Sequence, residues 1–423
     1  MKKSIAILLV VLIAVPLMAL PGCGESEEPE PVSGDKERVR GDVTILDPLE
    51  GENSLDFAVF SQVAEEDMDG EEYVNVFISP ESLRIALMMA YNGASGETGE
   101  QMARLLGVEG MSLEEANGRT AGLLEHLQDE SEGTQVEIAN SMWSNEDVWF
   151  WEEFLELNEA YLDAETLELT DADDVNQWVS EKTHGKIESI VDRVDPATIL
   201  LLINALYFKG NWSDPFEESE TEEWDFTLQD GSQTEVPLMH QSGYYKYYED
   251  HSLQAIELPY GEDENISMYV FLPAETSDLQ DFIASLSDDL FDEWMSDLES
   301  REGDIYLPKF KLEYDKELAG TLQALGMVDA FDPEFADFSE MVSEESLGGE
   351  NVYISRVIQK TYLDVNEEGT EAAAVTGIEM QATAADPGEV ERFEMVVDHP
   401  FFLVIRDNDT GTLMFMGLIV DPS

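Results

Sequence analysis

Asp364-Val-Asn-Glu-Glu-Gly-Thr-Glu-Ala-Ala-Ala-Val-Thr-Gly-Ile-Glu-Met-Gln-Ala-Thr383 changes character twice along its length. Its start continues a strand, because Thr361, Tyr362, Leu363 and Val365 are β-branched, aromatic or apolar. Glu367, Glu368 and Gly369 then read as a turn. Beyond Gly369 the side chains are small. At period two, one face carries Thr370, Ala372, Ala374, Thr376, Ile378, Met380 and Ala382, none of them charged. The other carries Glu371, Glu379 and Gln381, the pattern of a strand with one buried and one wet face. Yet Ala385-Asp-Pro-Gly388 follows with turn and loop chemistry. A segment fit to be both exposed loop and core strand suggests one that switches between them. On pattern alone an ordinary strand or a surface helix of alanines reads equally well.

Working outward, the 423 residues hold 43% hydrophobic side chains, enough for a real core. The 94 acidic residues against 21 basic ones give a net charge of −73. Nucleic acid is excluded as a partner, since little is present to neutralise phosphates. Such a charge repels itself in dilute buffer. A high-salt habitat explains it, because molar salt shrinks the screening length to about 3 Å.

Cys23 is the only cysteine, so no intrachain disulfide forms. Lys2 and Lys3, then an apolar run from Ile5 to Leu20, read as a secretory signal peptide over residues 1–22. Gly22 before Cys23, with Leu20 three residues ahead of it, resembles a prokaryotic lipoprotein cleavage site. Residues 23–50 then comprise a lipid-attachment cysteine and an acidic Glu/Pro/Gly linker, and 51–423 a single domain. The expected location is outside the cytoplasmic membrane, anchored or secreted.

Within that domain, Asn53-Ser54 caps a helix with Leu55, Ala58, Val59 and Val63 on its apolar face. Asn75 to Pro80 is a short buried strand, and 81–106 is helical with a break at Asn92–Gly96, the second helix beginning at Thr98. Val136 to Trp143 is a strand, and Val175 to Ile187 a helix closed by Gly185. Thr198 to Phe208 reads as a central strand buried on both faces, with Asn204 needing partners inside it. Gln254–Pro259 and Ser267–Pro273 form a hairpin, Ile305–Tyr314 a strand pair, and Leu318–Leu325 a helix. Met395–Val397, Phe401–Ile405 and Thr412–Ile419 are strands. Helices and strands without regular alternation give an α+β class.

Catalytic motifs are absent. The five histidines, including His399 before Pro400, lie in no His-Glu-x-x-His, and there is no cysteine cluster for zinc. Neither a Gly-x-Ser-x-Gly elbow nor a phosphate-binding glycine loop occurs. Asp171–Asp174 and Glu65–Gly70 lack the full calcium-loop spacing. The reading is no enzyme, no metal and no cofactor.

Six motifs, in order, carry a resemblance. They are Asn75-Val-Phe-Ile-Ser-Pro-Glu-Ser82, Asn204-Ala-Leu-Tyr-Phe-Lys-Gly-Asn-Trp212, Leu307-Pro-Lys-Phe310, Ala336-Asp-Phe-Ser339, Val365-Asn-Glu-Glu-Gly-Thr-Glu-Ala-Ala-Ala374 and Met395-Val-Val-Asp-His-Pro-Phe-Phe-Leu-Val-Ile405. Together they resemble the serpin family from about Ser54 to the C-terminus. The resemblance implies a large central sheet A, two smaller sheets, eight or nine helices and an exposed reactive-centre loop. It further implies a suicide inhibitor: a protease cuts the loop, and the loop inserts into sheet A while the protease is held as an acyl-enzyme. The hinge falls on Glu367, Glu368, Gly369, Thr370, Glu371, Ala372, Ala373 and Ala374. Family spacing puts the reactive bond at Thr383–Ala384, with Ala382, Ala384 or Met380 as alternatives. The implied partner is one covalently bound protease, subtilisin-like or elastase-like because the flanking residues are small, or a cysteine protease. The inhibitor itself is expected as a monomer. Ser79 and Asn204 match the cluster beneath the sheet opening, where Gln359 replaces the usual histidine. Gln keeps the donor and acceptor but not the pH sensitivity. Lys309 and Glu367 match a salt bridge at the head of the sheet, and Trp212 packs there. The runner-up is a non-inhibitory serpin acting as a binding or chaperone protein, although such members tend to carry bulky or charged hinge residues.

Overall fold

The computed structural model of the chain describes residues 54–68, 73–129, 131–144, 148–194, 200–275, 277–342, 351–370 and 392–423. The signal peptide, Cys23 and the linker lie outside the described residues, as do Glu371, Ala372, Ala373, Ala374, Thr383 and Ala384.

The first elements form where caps and apolar spacing coincide. Helix α1 (Ser54–Met68) is followed by strand β1 (Val76–Ile78), buried at every residue. Ser79 then caps α2 (Pro80–Tyr91), accepting from the Ser82 amide, with Pro80 in the first turn where no N–H is needed. Helix α3 (Gly96–Leu106) begins at Gly96 rather than Thr98 and stops at Gly107, left-handed at φ 71°. Helix α4 (Leu113–Leu127) opens on a reciprocal capping box between Ser112 and Glu115. Strand β2 (Thr134–Ser144), α5 (Glu152–Leu162) and β3 (Ala164–Glu168) follow. Asp171 caps α6 (Ala172–Lys182), which ends before the expected Ile187, because His184 and Gly185 turn left-handed at φ 51° and 77°.

Strand β4 (Leu200–Asn211) is the expected central strand, though Leu200, Leu201, Leu202 and Leu206 are only half-buried. Then come β5 (Glu222–Thr227), the long β6 (Gln233–Glu249), and the hairpin β7 (Leu253–Tyr260) and β8 (Ile266–Pro273). After α7 (Leu279–Ser285) and α8 (Asp288–Asp297), β9 (Glu299–Pro308) and β10 (Phe310–Glu317) are separated by Lys309 alone. Helix α9 (Ala319–Ala324) leads towards β11 (Ile358–Asn366) and the two-residue β12 (Gly369–Thr370). Strands β13 (Phe393–Val396), β14 (Phe401–Asp407) and β15 (Leu413–Ile419) finish the chain.

Two sheets result. One has six strands in the order β10-β11-β12-β4-β2-β3. The other has nine, in the order β1-β15-β14-β8-β7-β6-β9-β13 with β5 also on β6. Its two parts share β6: residues 238–247 pair with β9, and 247–249 with β7. The two smaller sheets expected from the resemblance therefore run together through one strand. The strand pair read at Ile305–Tyr314 splits at Lys309, β9 joining the nine-stranded sheet and β10 the six-stranded one.

The larger core includes apolar residues of both sheets, α1 and α2. A second cluster sits where Val175, Trp178 and Val179 of α6 cover Trp143 of β2 and Ile203 and Ala205 of β4. Successive residues of β4 thus alternate between two apolar environments, as strand geometry requires. Among the described residues, no helix is long and apolar enough to cross a membrane.

Candidate functional site

The turn after β11 carries the chain back into its own sheet. Asn366 and Val365 of β11 pair with Gly369 and Thr370, which pair in turn with Asn211 and Gly210 of β4. Both ladders are antiparallel, so β11 and β4 run parallel. Among the described residues no ladder joins those two strands directly. Gly369 sits at φ 147°, and a Cβ there would collide with the carbonyl of Gly210 and approach Asn211 Cα to 2.8 Å. Gly210 meets the same limit, since a Cβ would lie 2.7 Å from the rings of Phe208 and Tyr260. Only glycines let the two backbones meet beneath that ring.

Nearly every polar group of the turn has a partner. Trp212 Nε1–H donates to Asn366 O at 2.9 Å, and the Trp212 amide donates to Glu368 O at 3.0 Å. The Phe216 amide donates to Glu367 O at 2.9 Å. Trp212 stacks on Tyr260 with ring centres 4.4 Å apart, and the Tyr260 hydroxyl shares a 2.6 Å hydrogen bond with Thr370 Oγ1. The buried Glu367 carboxylate accepts from Lys309 Nζ at 2.6 Å and from Thr221 Oγ1 at 2.9 Å. Burial pushes its pKa up, but the lysine and threonine bonds, its own backbone N–H and the lysine charge outweigh that and hold it low.

Lower in the sheet lies a polar seam. The Ser79 amide donates to Gln359 Oε1 at 2.9 Å, and Gln359 Nε2 donates back to Ser79 O at 2.7 Å. Ser82 Oγ donates to Asn204 Oδ1, and Asn204 Nδ2 donates to Asn140 Oδ1 at 2.6 Å. Asn140 Nδ2 in turn donates to Leu162 O at 2.6 Å. The strands flanking the β12 insertion, β11 and β4, are thereby tied to the same first turn of α2. Moving them apart exchanges these bonds, and a buried amide left unpaired costs about 1–3 kcal/mol.

The sequence-expected residues thus fall into two groups. Trp212, Lys309, Glu367, Glu368, Gly369 and Thr370 meet at the head of the sheet. Ser79, Asn204 and Gln359 meet beneath it. Sequence reasoning missed Asn140, Tyr260, Thr221 and Ser82. Asn140 offered the signal that exposed Asn204, an amide inside an apolar strand. Tyr260 gave none, because it sits where β7 ends and reaches Thr370 only through the fold.

Among the described residues no group of three or more His, Cys, Asp or Glu is placed to hold a metal. His399 Nδ1 meets Asp398 at 2.8 Å and its Nε2 meets Pro273 O at 2.7 Å, so neither nitrogen faces a nucleophile.

The family model described as Serpin (serine protease inhibitor) matches residues 50–422. An uncharacterized serpin-like protein of Thermococcus kodakarensis is 33% identical, the alignment covering 98% of each chain. The leukocyte elastase inhibitor of Xenopus laevis is 34% identical, over 86% of this chain and 97% of its own. The solved native structure of the thermophilic serpin Tengpin superposes with a TM-score of 0.78 at 31% identity, covering 89% of this chain and 95% of that one.

Proposed function

The chain belongs to the serpin family, and from that premise we propose that it is an extracytoplasmic protease inhibitor acting as a suicide substrate. One observation carries the reading: Gly369–Thr370 already lies as a strand between two parallel neighbours. That is the first step of threading a longer strand into the same place.

The protease nucleophile attacks the Thr383 carbonyl, the bond to Ala384 breaks, and the new amine leaves on Ala384. The ester to the protease remains on Thr383. The freed segment then follows Gly369 and Thr370 between β11 and β4, hauling the protease with it before water reaches the ester. Small residues from Thr370 to Gly377 ease entry. A charge on the inward face would be buried, at a cost of several kcal/mol. Lys309, Glu367 and Trp212 hold the head of the sheet, while Ser79, Asn204 and Gln359 set the resistance to opening. The small Ala382, Ala384 and Ala385 suit a shallow-pocketed subtilisin-like or elastase-like protease, and the leukocyte elastase inhibitor among the relatives supports that class. A signal peptide over 1–22, a lipid on Cys23 and the linker to residue 50 would keep the inhibitor at the outer face of the membrane.

The test is incubation with subtilisin in molar salt, followed by denaturing electrophoresis. A covalent adduct retaining both chains supports trapping. Complete loop cleavage with no adduct overturns it and favours a non-inhibitory member.

A further inference from the structure

Strand β13 is a short edge of the nine-stranded sheet, four residues paired in parallel with β9. Its start is held to the neighbouring strands. Arg392, just before it, reaches Asp304 of β9 at 3.3 Å, and Gln254 Nε2 of β7 donates to Glu394 O at 2.9 Å. Beyond its other end, Asp398 O accepts from the Thr227 amide of β5 at 2.7 Å, and His399 follows.

The His399 side chain is 16% exposed and its ring lies between two acceptors. Nδ1 is 2.8 Å from the Asp398 carboxylate, and Nε2 is 2.7 Å from the carbonyl of Pro273, the last residue of β8. A carbonyl and a carboxylate both accept, so satisfying both takes a hydrogen on each ring nitrogen. Only the imidazolium has two. A neutral ring that keeps its bond to Pro273 O turns a lone pair on Asp398; one that keeps Asp398 gives up Pro273 O. Burial pulls the ring's pKa down, but the bonds to Asp398 and Pro273 O and the charges of Asp398 and Glu275 outweigh it and hold the pKa above the ordinary 6.5.

The ring also lines a cleft of about 330 Å³, through which solvent can exchange its proton. The charged groups on that cleft are Asp250 after β6, Glu275 after β8, Glu394 on β13, and Asp398 beside the ring. Among the described residues no lysine or arginine lines it. Every other charge on the cleft therefore favours the protonated form.

We propose that His399 is a pH-sensitive clasp for β13: as an imidazolium it ties the end of the strand to β8, and on losing its proton it weakens that tie. A group whose folded pKa is raised stabilises the closed form fully below its unfolded value of about 6.5, and that contribution is lost as pH rises through the folded value. The clasp is closed in acid and slack in alkali. In the inhibitor proposed above, β13 anchors the chain where it returns from the reactive loop, so the clasp sets how firmly that end of the bait is held. The clasp itself does not depend on loop insertion.

The test uses the intact full chain in molar salt. Ring titration is followed by NMR on protein carrying ¹³Cε1-labelled histidine, the His399 signal being the one missing from His399→Gln. Amide hydrogen-exchange protection of Phe393–Val396 is measured between pH 5.5 and 9, each rate divided by that of the unfolded chain at the same pH. The ring is expected to titrate above pH 6.5. Protection of β13 should fall with rising pH, by about tenfold for each unit separating the folded pKa from 6.5. In His399→Gln it should be lower than wild type at pH 5.5 and flat with pH. Asp398→Asn, which removes only the charged acceptor, should bring the ring's titration down and move the fall in protection to lower pH with it; this variant carries the test if His399→Gln fails to fold. A ring that titrates at or below pH 6.5 overturns the proposal. So does a ring that titrates above 6.5 while β13 protection in the wild type stays flat, since the charge is then present without holding the strand.

Discussion

Thr370 Oγ1 and the Tyr260 hydroxyl share a 2.6 Å hydrogen bond between two fully enclosed side chains, one on the hinge turn and one at the end of β7. Tyr260 is pressed between that bond and the Trp212 ring, so the first inward-facing residue of the loop is packed before any protease arrives.

Thr370→Arg brings a guanidinium to this enclosed position. Burying it unpaired costs several kcal/mol, so residue 370 is driven out of the sheet and strand insertion loses its starting point. The expected outcome is that cleavage by subtilisin continues while the covalent adduct is lost. An adduct yield equal to wild type would contradict the mechanism.

The Lys309–Glu367 pair has an exposed lysine end and a buried carboxylate end. Removing the lysine leaves the carboxylate short of its strongest partner. Lys309→Ala is expected to lower stability by on the order of 1 kcal/mol, a figure discounted for the lysine's exposure. Since Glu367 is held below its ordinary 4.5, its contribution is complete above that pH and lost as pH falls through the lower folded value. The gap in melting temperature between wild type and Glu367→Gln should be widest above pH 4.5 and close below it.

Gln359 bridges Ser79 through two hydrogen bonds without a titrating group. Gln359→His is expected to make sheet opening pH-dependent. A neutral imidazole can accept from the Ser79 amide, but its protonated form, with an ordinary pKa of about 6.5, cannot. With the same protease, the ratio of adduct formation rates at pH 5.5 and 7.5 should differ between the variant and wild type, the protease's own pH dependence cancelling in the comparison. A variant whose pH profile matches that of wild type would show that this seam does not limit opening.

The net charge of −73 predicts a salt-dependent fold. The screening length grows from ~3 Å in 1 M salt to ~30 Å in 0.01 M, so repulsion between acidic neighbours returns on dilution. The melting temperature should fall steadily across that range. A melt indifferent to salt would remove the high-salt explanation.

How much of this was legible follows from where each signal sits. The strand into Val365, the Glu367–Gly369 turn and the small-residue run are local, and the first two of these fall within β11 and its turn. The hairpin of β7 and β8 was equally plain, its strands flanking a Gly-Glu-Asp-Glu turn. Helix α5 was not read, because its buried stripe of Phe154, Asn158 and Leu162 contains an amide. Asn158 is satisfied by Asn92, which also bonds Asn117, a contact between three helices that no local pattern announces. Strand β6 was missed because Pro237 and Gly243 look like breaks, whereas there they fall within a strand shared by both halves of the larger sheet. At the site, Lys309 and Glu367 came from the family resemblance. Tyr260, which caps the same turn, is joined to it only by folding.

The central claim is that the cut loop becomes a strand between β4 and β11. The most direct measurement is the melting temperature of the protein before and after limited cleavage in the reactive loop, in molar salt. Insertion extends the two ladders that Gly369 and Thr370 begin and buries the face from Ala372 onward, so the cleaved protein should melt far higher than the intact one. A melting temperature that is unchanged or lowered by cleavage would contradict the account.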